Sequence, residues 1–183
     1  MRKKVIVPLA EGFEEIEALT IVDILRRANV EVVMAALESL HVKGAHGIVV
    51  VADALLKEVD GDAYDMIALP GGLPGATNLA ADETTQNLLK RFDAKHKAIA
   101  AICAAPYALK SAGVLKNSYT CYPGFQPKIG GEGYNAIDKV VKDGNITTSQ
   151  GPSTAMLFAL SLVEQLCSAD VAFALKKDLL LNM

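Results

Sequence analysis

Short apolar runs alternate with stretches of helical periodicity along most of the chain. Consecutive apolar residues are typical of buried strands, and apolar residues at intervals of three and four are typical of helices that pack on a sheet. The strand-like runs comprise residues 5–9, 30–36, 66–69 and 97–102. The helical stretches comprise residues 13–28, 84–94 and 104–112. Apolar strands separated by helices predict a mostly parallel sheet covered on both faces, which is a three-layer α/β/α sandwich.

Two hairpins interrupt this alternation. Residues 41–51 contain two glycines between short β-like pieces, which predicts a hairpin outside the main sheet. Residues 139–141 and 146–148 flank Asp143-Gly144, a favourable hairpin turn.

Helix boundaries are predicted at three further positions. Gly113 is suited to the left-handed conformation that ends a helix. Ser153 is placed to cap a long helix that runs to about Cys167, and Ser168 is placed to cap a shorter one.

Length and composition predict one well-packed domain over residues 1–183. Of the 183 residues, 51% are hydrophobic and 21% charged, and a chain of this length buries roughly 70% of its surface on folding. The net charge is -3 and the basic residues are scattered, so we do not expect nucleic acid as a partner. No apolar run reaches the ~20 residues of a membrane span, and the N-terminal run is too short for a signal peptide.

The cysteine pattern argues for a reducing compartment. Three cysteines, at 103, 121 and 167, form no CxxC pair and no disulfide framework, so neither a zinc site nor another metal or cofactor is predicted. We expect a cytoplasmic protein. Cys167 continues an apolar helix face and is interpreted as core. Cys121 is interpreted as a strand residue, with a second oxidisable thiol as the alternative.

Cys103 has the most informative surroundings. It follows a buried strand and precedes a helix, with small neighbours such as Ala101 and Ala104 that permit a tight turn. Such a nucleophile elbow presents the side chain, and the free N–H groups of the helix favour a thiolate with a lowered pKa. The alternative is that Cys103 is a small hydrophobic core residue.

Glu17 is the candidate partner of this thiol. It lies on a helical line with Ile21, Ile24 and Ala28 that is otherwise apolar. Burial raises the pKa of a carboxyl group, so a protonated Glu17 can donate to a thiolate or carry protons for a thiol adduct. The alternative, a first-turn glutamate that interacts with the helix dipole, explains the neighbouring glutamates better than Glu17.

Gly71 and Gly72 follow another strand at the same edge of the predicted sheet. Glycine lets another group approach the backbone closely, so their N–H groups are candidate donors to an oxyanion. An ordinary turn after the strand is the alternative. The functional interpretation of the two glycines depends on the presence of Cys103 and Glu17 at the same edge.

The histidines argue against two kinds of enzyme. His41, His46 and His96 all precede Cys103, and the residue after it is Ala104. A glutamine amidotransferase or a protease with histidine directly after the cysteine therefore lacks its base. We interpret the three histidines as exposed loop residues, with His96 at the opposite edge of the sheet.

Four ordered segments resemble the ThiJ/PfpI superfamily, and the branch of the human parkinsonism-associated protein deglycase most closely. The segments are EGFEEIE (11–17), LPGG (69–72), AAICAAP (100–106) and TSQGPST (148–154). The resemblance implies a flavodoxin-like sandwich, a homodimer, and glyoxalase chemistry without metal or glutathione. Members are also described as deglycases of glycated proteins and nucleotides, oxidative-stress sensors or chaperones.

The same resemblance assigns roles to site residues. It implies a reactive Cys103 beside a protonated Glu17, with backbone donors from Gly71, Gly72 and Ala104, and ready oxidation of the cysteine to a sulfinate. Two pocket residues depart from the family pattern. Some members carry a histidine with a proton-transfer role where this chain has Tyr122, and relatives often have glycine where it has Ser153, which we expect to narrow the pocket.

Three functions fit these residues. As an enzyme, the protein would add the Cys103 thiolate to methylglyoxal or glyoxal, or act on a glycated substrate, with the oxyanion facing Gly71 and Gly72 and Glu17 moving the proton. As an oxidative-stress sensor, it would respond through oxidation of Cys103 to a sulfinate. As a binding or chaperone-like protein, it would not need the thiol. We rank aldehyde detoxification or repair first.

Overall fold

The structure is a computed structural model that describes residues 2–181. Nine strands occur within these residues. They are β1 (Lys4–Leu9), β2 (Glu31–Ala36), β3 (His41–Lys43), β4 (Val49–Val51), β5 (Ala54–Leu55), β6 (Met66–Leu69), β7 (Ala98–Ile102), β8 (Val140–Asp143) and β9 (Ile146–Ser149). Seven of them form the central sheet in the order β5-β2-β1-β6-β7-β9-β8. Only the β8–β9 pair in this sheet is antiparallel, so the predicted, mostly parallel sheet is confirmed. The short edge strand β5 was not predicted.

Helices cover both faces of the sheet. They are α1 (Glu15–Arg27), α2 (Gly75–Ala81), α3 (Glu83–Ala94), α4 (Pro106–Ser111), α5 (Gln126–Ile129), α6 (Ala155–Leu166) and α7 (Ala169–Asp178). Helices α1, α6 and α7 pack together on one face, and α2, α3 and α4 on the other. The fold is therefore a flavodoxin-like three-layer α/β/α sandwich. Helices α2 and α5 were not predicted.

Each face of the sheet contributes to its own hydrophobic core. In β1, Val5 and Val7 belong to the core under α1 and α6, whereas Ile6 belongs to the core under α3 and α4. Successive side chains of a strand point to opposite faces, so a fully apolar strand supplies both layers. This explains why the strands read as continuous apolar runs.

The predicted hairpin at residues 41–51 is confirmed. Strands β3 and β4 pair antiparallel in a two-stranded sheet of their own. The hairpin contacts the start of α1, because Gly12 N–H donates to Lys43 O (2.8 Å) and Ala45 N–H donates to Phe13 O (2.8 Å).

One of the two predicted helix caps is wrong. Ser153 lies inside a 3₁₀ turn, Pro152–Thr154, and α6 begins only at Ala155, so Ser153 does not cap it. Ser168 does cap α7, since its hydroxyl accepts a hydrogen bond from Val171 N–H (3.3 Å). Gly113 has the predicted left-handed conformation, with φ at 72°.

The carboxyl ends of the parallel strands meet at one edge of the sheet. The loops that follow β6, β7 and β9 there contain Gly71, Cys103 and Gly151, and the loop after β1 leads into α1. This edge is where open α/β sheets bind ligands. Over residues 2–181, no helix has the combined length and apolar character needed to cross a bilayer.

Candidate active site

The turn after β7 holds Cys103 in an unusual backbone conformation. Its φ is 64°, in the left-handed region that residues with a Cβ rarely adopt. Two hydrogen bonds fix this turn, from Cys103 N–H to Ser149 O (3.0 Å) and from Tyr122 N–H to Cys103 O (2.9 Å). The chain then enters α4 at Pro106, two residues later than the predicted start. The predicted strand-to-helix elbow is present.

Glu17 is the third residue of α1, and its side chain is completely buried. Its Oε2 accepts a hydrogen bond from Gly71 N–H (2.8 Å), and its carboxyl group lies beside the Cys103 thiol. Burial raises the pKa of Glu17 to about 7, against the opposing effects of the Gly71 hydrogen bond and of the neighbouring thiol. The helical line of Glu17, Ile21 and Ile24 is buried as predicted. Glu17 is thus poised to hold or release a proton near neutral pH.

The pKa of the Cys103 thiol is raised, contrary to the prediction of a lowered value. Burial is the main cause, followed by the negative charge of Glu17, while the N–H groups of Gly72 and Ala104 act in the opposite direction. The part due to Glu17 exists only while that carboxyl group is ionised. When Glu17 holds the proton, the repulsion disappears and its O–H can donate to a thiolate. The thiol and the carboxyl group therefore titrate as a pair.

The two glycines of the β6–α2 loop have different contacts. Gly71 gives its N–H to Glu17, so it orients the carboxyl group rather than facing the sulfur. The N–H groups of Gly72 and Ala104 interact with Cys103. A Cβ on Gly71 would lie 2.6 Å from Cys103 Cβ and 2.8 Å from Glu17 Oε2, which is too close for any side chain. Gly71 therefore permits the close approach of Glu17 to Cys103.

Tyr122 and Gly151 line one side of this pair. The Tyr122 side chain is half exposed, and a Cβ on Gly151 would lie 3.2 Å from its ring and 4.0 Å from Glu17 Oε1. Ser153 is exposed in the 3₁₀ turn before α6. Sequence reasoning singled out Ser153 and missed Gly151, although both belong to the TSQGPST segment. Gly151 is the one beside Glu17.

A second cluster, formed by Glu14, Glu15 and His46, was not predicted. Glu15 Oε2 bonds the His46 ring (2.9 Å), and Glu15 Oε1 accepts hydrogen bonds from the backbone N–H groups of His46 (2.8 Å) and Ile48 (3.3 Å). Glu14 Oε2 lies 3.6 Å from His46 Nδ1. One ligand atom from each of these three side chains lies within 4.8 Å of the other two, which is close enough to share a metal ion, and this is the group of that kind found in residues 2–181. As they stand, they pair with one another and fasten the β3–β4 hairpin to α1.

The remaining histidines and cysteines lie elsewhere. His96 is exposed before β7, at the opposite edge of the sheet as predicted, and His41 is exposed on β3 rather than in a loop. Cys121 is buried but lies outside any strand. Cys167 is exposed because α6 ends at Leu166, so its assignment to the core is wrong.

The fold and the elbow define a family of α/β proteins. Residues 3–165 match the model of the DJ-1/PfpI family, and the chain belongs to this family. It is 39% identical to the Parkinson disease protein 7 homolog of Danio rerio over 98% of both chains. It is 37% identical to the glutathione-independent glyoxalase DJR-1.2 of Caenorhabditis elegans, over 93% of this chain and 92% of the relative.

Other relatives are longer than this chain. The chain is 38% identical to DJ-1 homologs B and A of Arabidopsis thaliana and spans 42% and 47% of their lengths. Solved structures agree with the fold. DJ-1beta of Drosophila melanogaster superposes with a TM-score of 0.96 at 37% identity over the full length of both chains. Oxidized DJ-1 of Toxoplasma gondii gives 0.93 at 39% identity, covering 97% of this chain and 98% of that one.

Proposed function

We propose that the protein is a cysteine-dependent enzyme that converts small 1,2-dicarbonyl aldehydes, such as methylglyoxal and glyoxal, into hydroxy acids. The supporting observation is the fully buried carboxyl group of Glu17, which lies against Cys103 beside Gly71 at an elbow where the N–H groups of Gly72 and Ala104 favour the thiolate. A nucleophile beside a carboxyl group of pKa about 7 suits repeated proton transfer at neutral pH. A relative named as a glutathione-independent glyoxalase, with 37% identity, favours the same class.

The first step forms a carbon–sulfur bond. The Cys103 thiolate adds to the aldehyde carbon, and the carbonyl oxygen becomes the oxyanion of a hemithioacetal. Gly72 and Ala104 are the donors we assign to this oxyanion, in place of the Gly71–Gly72 pair, because Gly71 N–H is bonded to Glu17. Glu17 starts protonated and delivers its proton to that oxygen.

The second step moves a hydrogen within the substrate. Glu17 removes the proton from the former aldehyde carbon, the hydroxyl proton of the hemithioacetal passes to the neighbouring carbonyl oxygen, and Glu17 returns its proton to the neighbouring carbon. One carbon is thereby oxidised while the other is reduced. The product is a thioester, which water cleaves to the hydroxy acid and free Cys103. No external oxidant or reductant is needed. A deglycase reaction would begin instead from the hemithioacetal or aminocarbinol of a glycated protein or nucleotide.

The test is lactate formation from methylglyoxal without glutathione or added metal. We expect turnover by the wild-type protein and by a Cys167→Ala control, whose cysteine is exposed directly after α6. Cys103→Ala should be inactive. Full turnover by Cys103→Ala would overturn the proposal.

A second candidate function is oxidative-stress sensing. The same N–H groups and a protonated Glu17 suit the oxygens of a Cys103 sulfinate. Intact-mass and peptide measurements after mild peroxide should show two oxygens gained at Cys103 before Cys121 or Cys167. Oxidation of Cys121 or Cys167 ahead of Cys103 would contradict it, and absent lactate formation together with oxidation at Cys103 would favour sensing over the enzyme.

We also propose a cytoplasmic homodimer. Five apolar side chains on α1 and the β3–β4 hairpin are exposed, which is typical of a surface that another chain covers: Ile16, Leu19, Ile48, Val49 and Val51. DJ-1 family members are commonly dimeric. Sedimentation should show a dimer that Val49→Asp weakens, whereas Ile137→Asp, which changes an exposed residue elsewhere, should not. A wild-type monomer would contradict this.

A further inference from the structure

Tyr122 has a fixed backbone and a partly free side chain. Its N–H donates to Cys103 O (2.9 Å), and its own carbonyl accepts from Phe125 N–H (2.9 Å). Its side chain is 51% exposed. The residue is therefore tied to the elbow through its backbone, while about half of its surface is exposed to solvent.

Gly151 provides the space in which this ring lies. Its φ is 168°, an extended conformation open to any residue, so the backbone alone does not require glycine. A Cβ there would lie 3.2 Å from Tyr122 Cδ2, which is tighter than most contacts, and 3.6 Å from Cε2, an ordinary contact. The same position lies 4.0 Å from Glu17 Oε1. The ring and the carboxyl group thus border one narrow space beside Gly151.

This space adjoins an unsatisfied atom. Glu17 Oε1 is buried and forms no hydrogen bond within residues 2–181. Cys103 is only 9% exposed. A cavity of about 700 Å³ opens near the ends of β1 and β2, but Cys103 does not line it. Access to the thiol is therefore restricted, and the half-exposed Tyr122 ring forms the wall beside Gly151 and Glu17.

We propose that the Tyr122 ring is a size filter, which closes the Gly151 side of the Glu17–Cys103 pair and admits only small electrophiles. For the reaction, this selects aldehydes of two or three carbons over those with bulky substituents. The substrate preference rests on the proposed function, whereas access to the thiol does not.

Alkylation of Cys103 tests access without turnover. The probes are N-methylmaleimide and N-(1-pyrenyl)maleimide, which share one reaction and differ in size, with the modified cysteine assigned by peptide mass spectrometry. In Tyr122→Ala, the preference for the small probe should fall by about tenfold, the scale on which pockets discriminate by size. Tyr122→Phe keeps the ring and should retain the wild-type preference. Gly151→Ala should displace the ring and change the preference in the same direction as Tyr122→Ala.

Two outcomes would overturn the filter. One is an equal change for both probes in Tyr122→Ala, or no change, in a variant whose circular dichroism matches the wild type. The other is a Tyr122→Phe variant that behaves like Tyr122→Ala, which would assign the effect to the hydroxyl group. Absent lactate formation in the wild type would refute the enzyme and leave the alkylation result standing. If turnover occurs, Tyr122→Ala should raise kcat/KM for phenylglyoxal relative to methylglyoxal.

Discussion

Glu15 and Glu17 lie two residues apart in the first turn of α1, and both are buried, yet their carboxyl groups are held in opposite ways. Burial opposes the charge of Glu15, but hydrogen bonds from the His46 ring and from backbone N–H groups outweigh it and lower its pKa. Glu17 accepts one backbone hydrogen bond, and burial raises its pKa to about 7. The number of donors, rather than depth alone, decides which carboxyl group is ionised.

The largest expected difference between the two glutamates is in reaction rate. Glu17→Gln keeps the size of the side chain but cannot carry a proton, so lactate formation should fall by about 10²- to 10⁴-fold, the range of general acid–base catalysis. Glu15→Gln should stay close to the wild-type rate. Equal losses in both variants would mean that the rate depends on α1 being intact rather than on proton transfer.

The next largest effect is expected in how the free energy of unfolding depends on pH, through the raised pKa of Glu17. A raised pKa in the folded state means that the contribution of Glu17 is full below its unfolded value of 4.5 and is lost as pH rises toward 7. The loss is about 3 kcal/mol at most, from 1.36 kcal/mol per pKa unit. Urea unfolding at fixed protein concentration should show this fall in the wild type and not in Glu17→Gln. Parallel pH profiles of the two proteins would contradict a protonated Glu17.

Removing the carboxylate of Glu15 should destabilise the fold. Glu15→Ala breaks three hydrogen bonds to the hairpin, at a cost of about 2 kcal/mol, because water reaches some of the released donors. Since the pKa of Glu15 is lowered, its contribution is present above its unfolded pKa and disappears in acid. Urea unfolding at pH 7 measures the loss. Glu164→Ala, on the exposed surface of α6, is the control that should change little.

The smallest effect is expected at the His46 ring. Its hydrogen bond to Glu15, with the charges of Glu14 and Glu15, raises its pKa. The stabilisation is therefore full below the unfolded value of 6.5 and is lost as pH rises through the folded value. His46→Gln should cost less than Glu15→Ala, and more at pH 6 than at pH 9. His41→Gln, an exposed change on the same hairpin, is the matched control.

Local patterns in the sequence predict some of these features and not others. The strands, the elbow and the burial of Glu17 follow from local spacing, because an apolar run, small residues around Cys103 and a helical line are all visible within one segment. The partner of Glu15 is 31 residues away, on a hairpin whose position depends on tertiary packing. The helical line therefore separates Glu17 from its neighbours, whereas nothing near Glu15 in the sequence points to its contact with His46.

The exact end of a helix, the environment of a thiol and the space beside a glycine could not be predicted from the sequence. Cys167 was assigned to the core by extending a helix one residue past its end, so an exposed position was interpreted as buried. The lowered pKa predicted for Cys103 considered the helix N-terminus, whereas burial and the Glu17 charge dominate. The role of Gly151 depends on the Tyr122 and Glu17 atoms that a side chain there would approach, and residue spacing along the sequence does not predict such contacts.

The donors that favour a negative charge on the Cys103 sulfur are main-chain N–H groups, at Gly72 and Ala104. Those N–H groups persist when the surrounding side chains are changed, provided that Gly72 stays glycine, because a Cβ there would clash with the backbone of Glu14 at a φ of 90°. Chemistry at this elbow can therefore be redirected through few positions, with Glu17 governing proton movement and Tyr122 governing entry. A library confined to those two residues would sample new reactivity while leaving the scaffold for a charged intermediate intact.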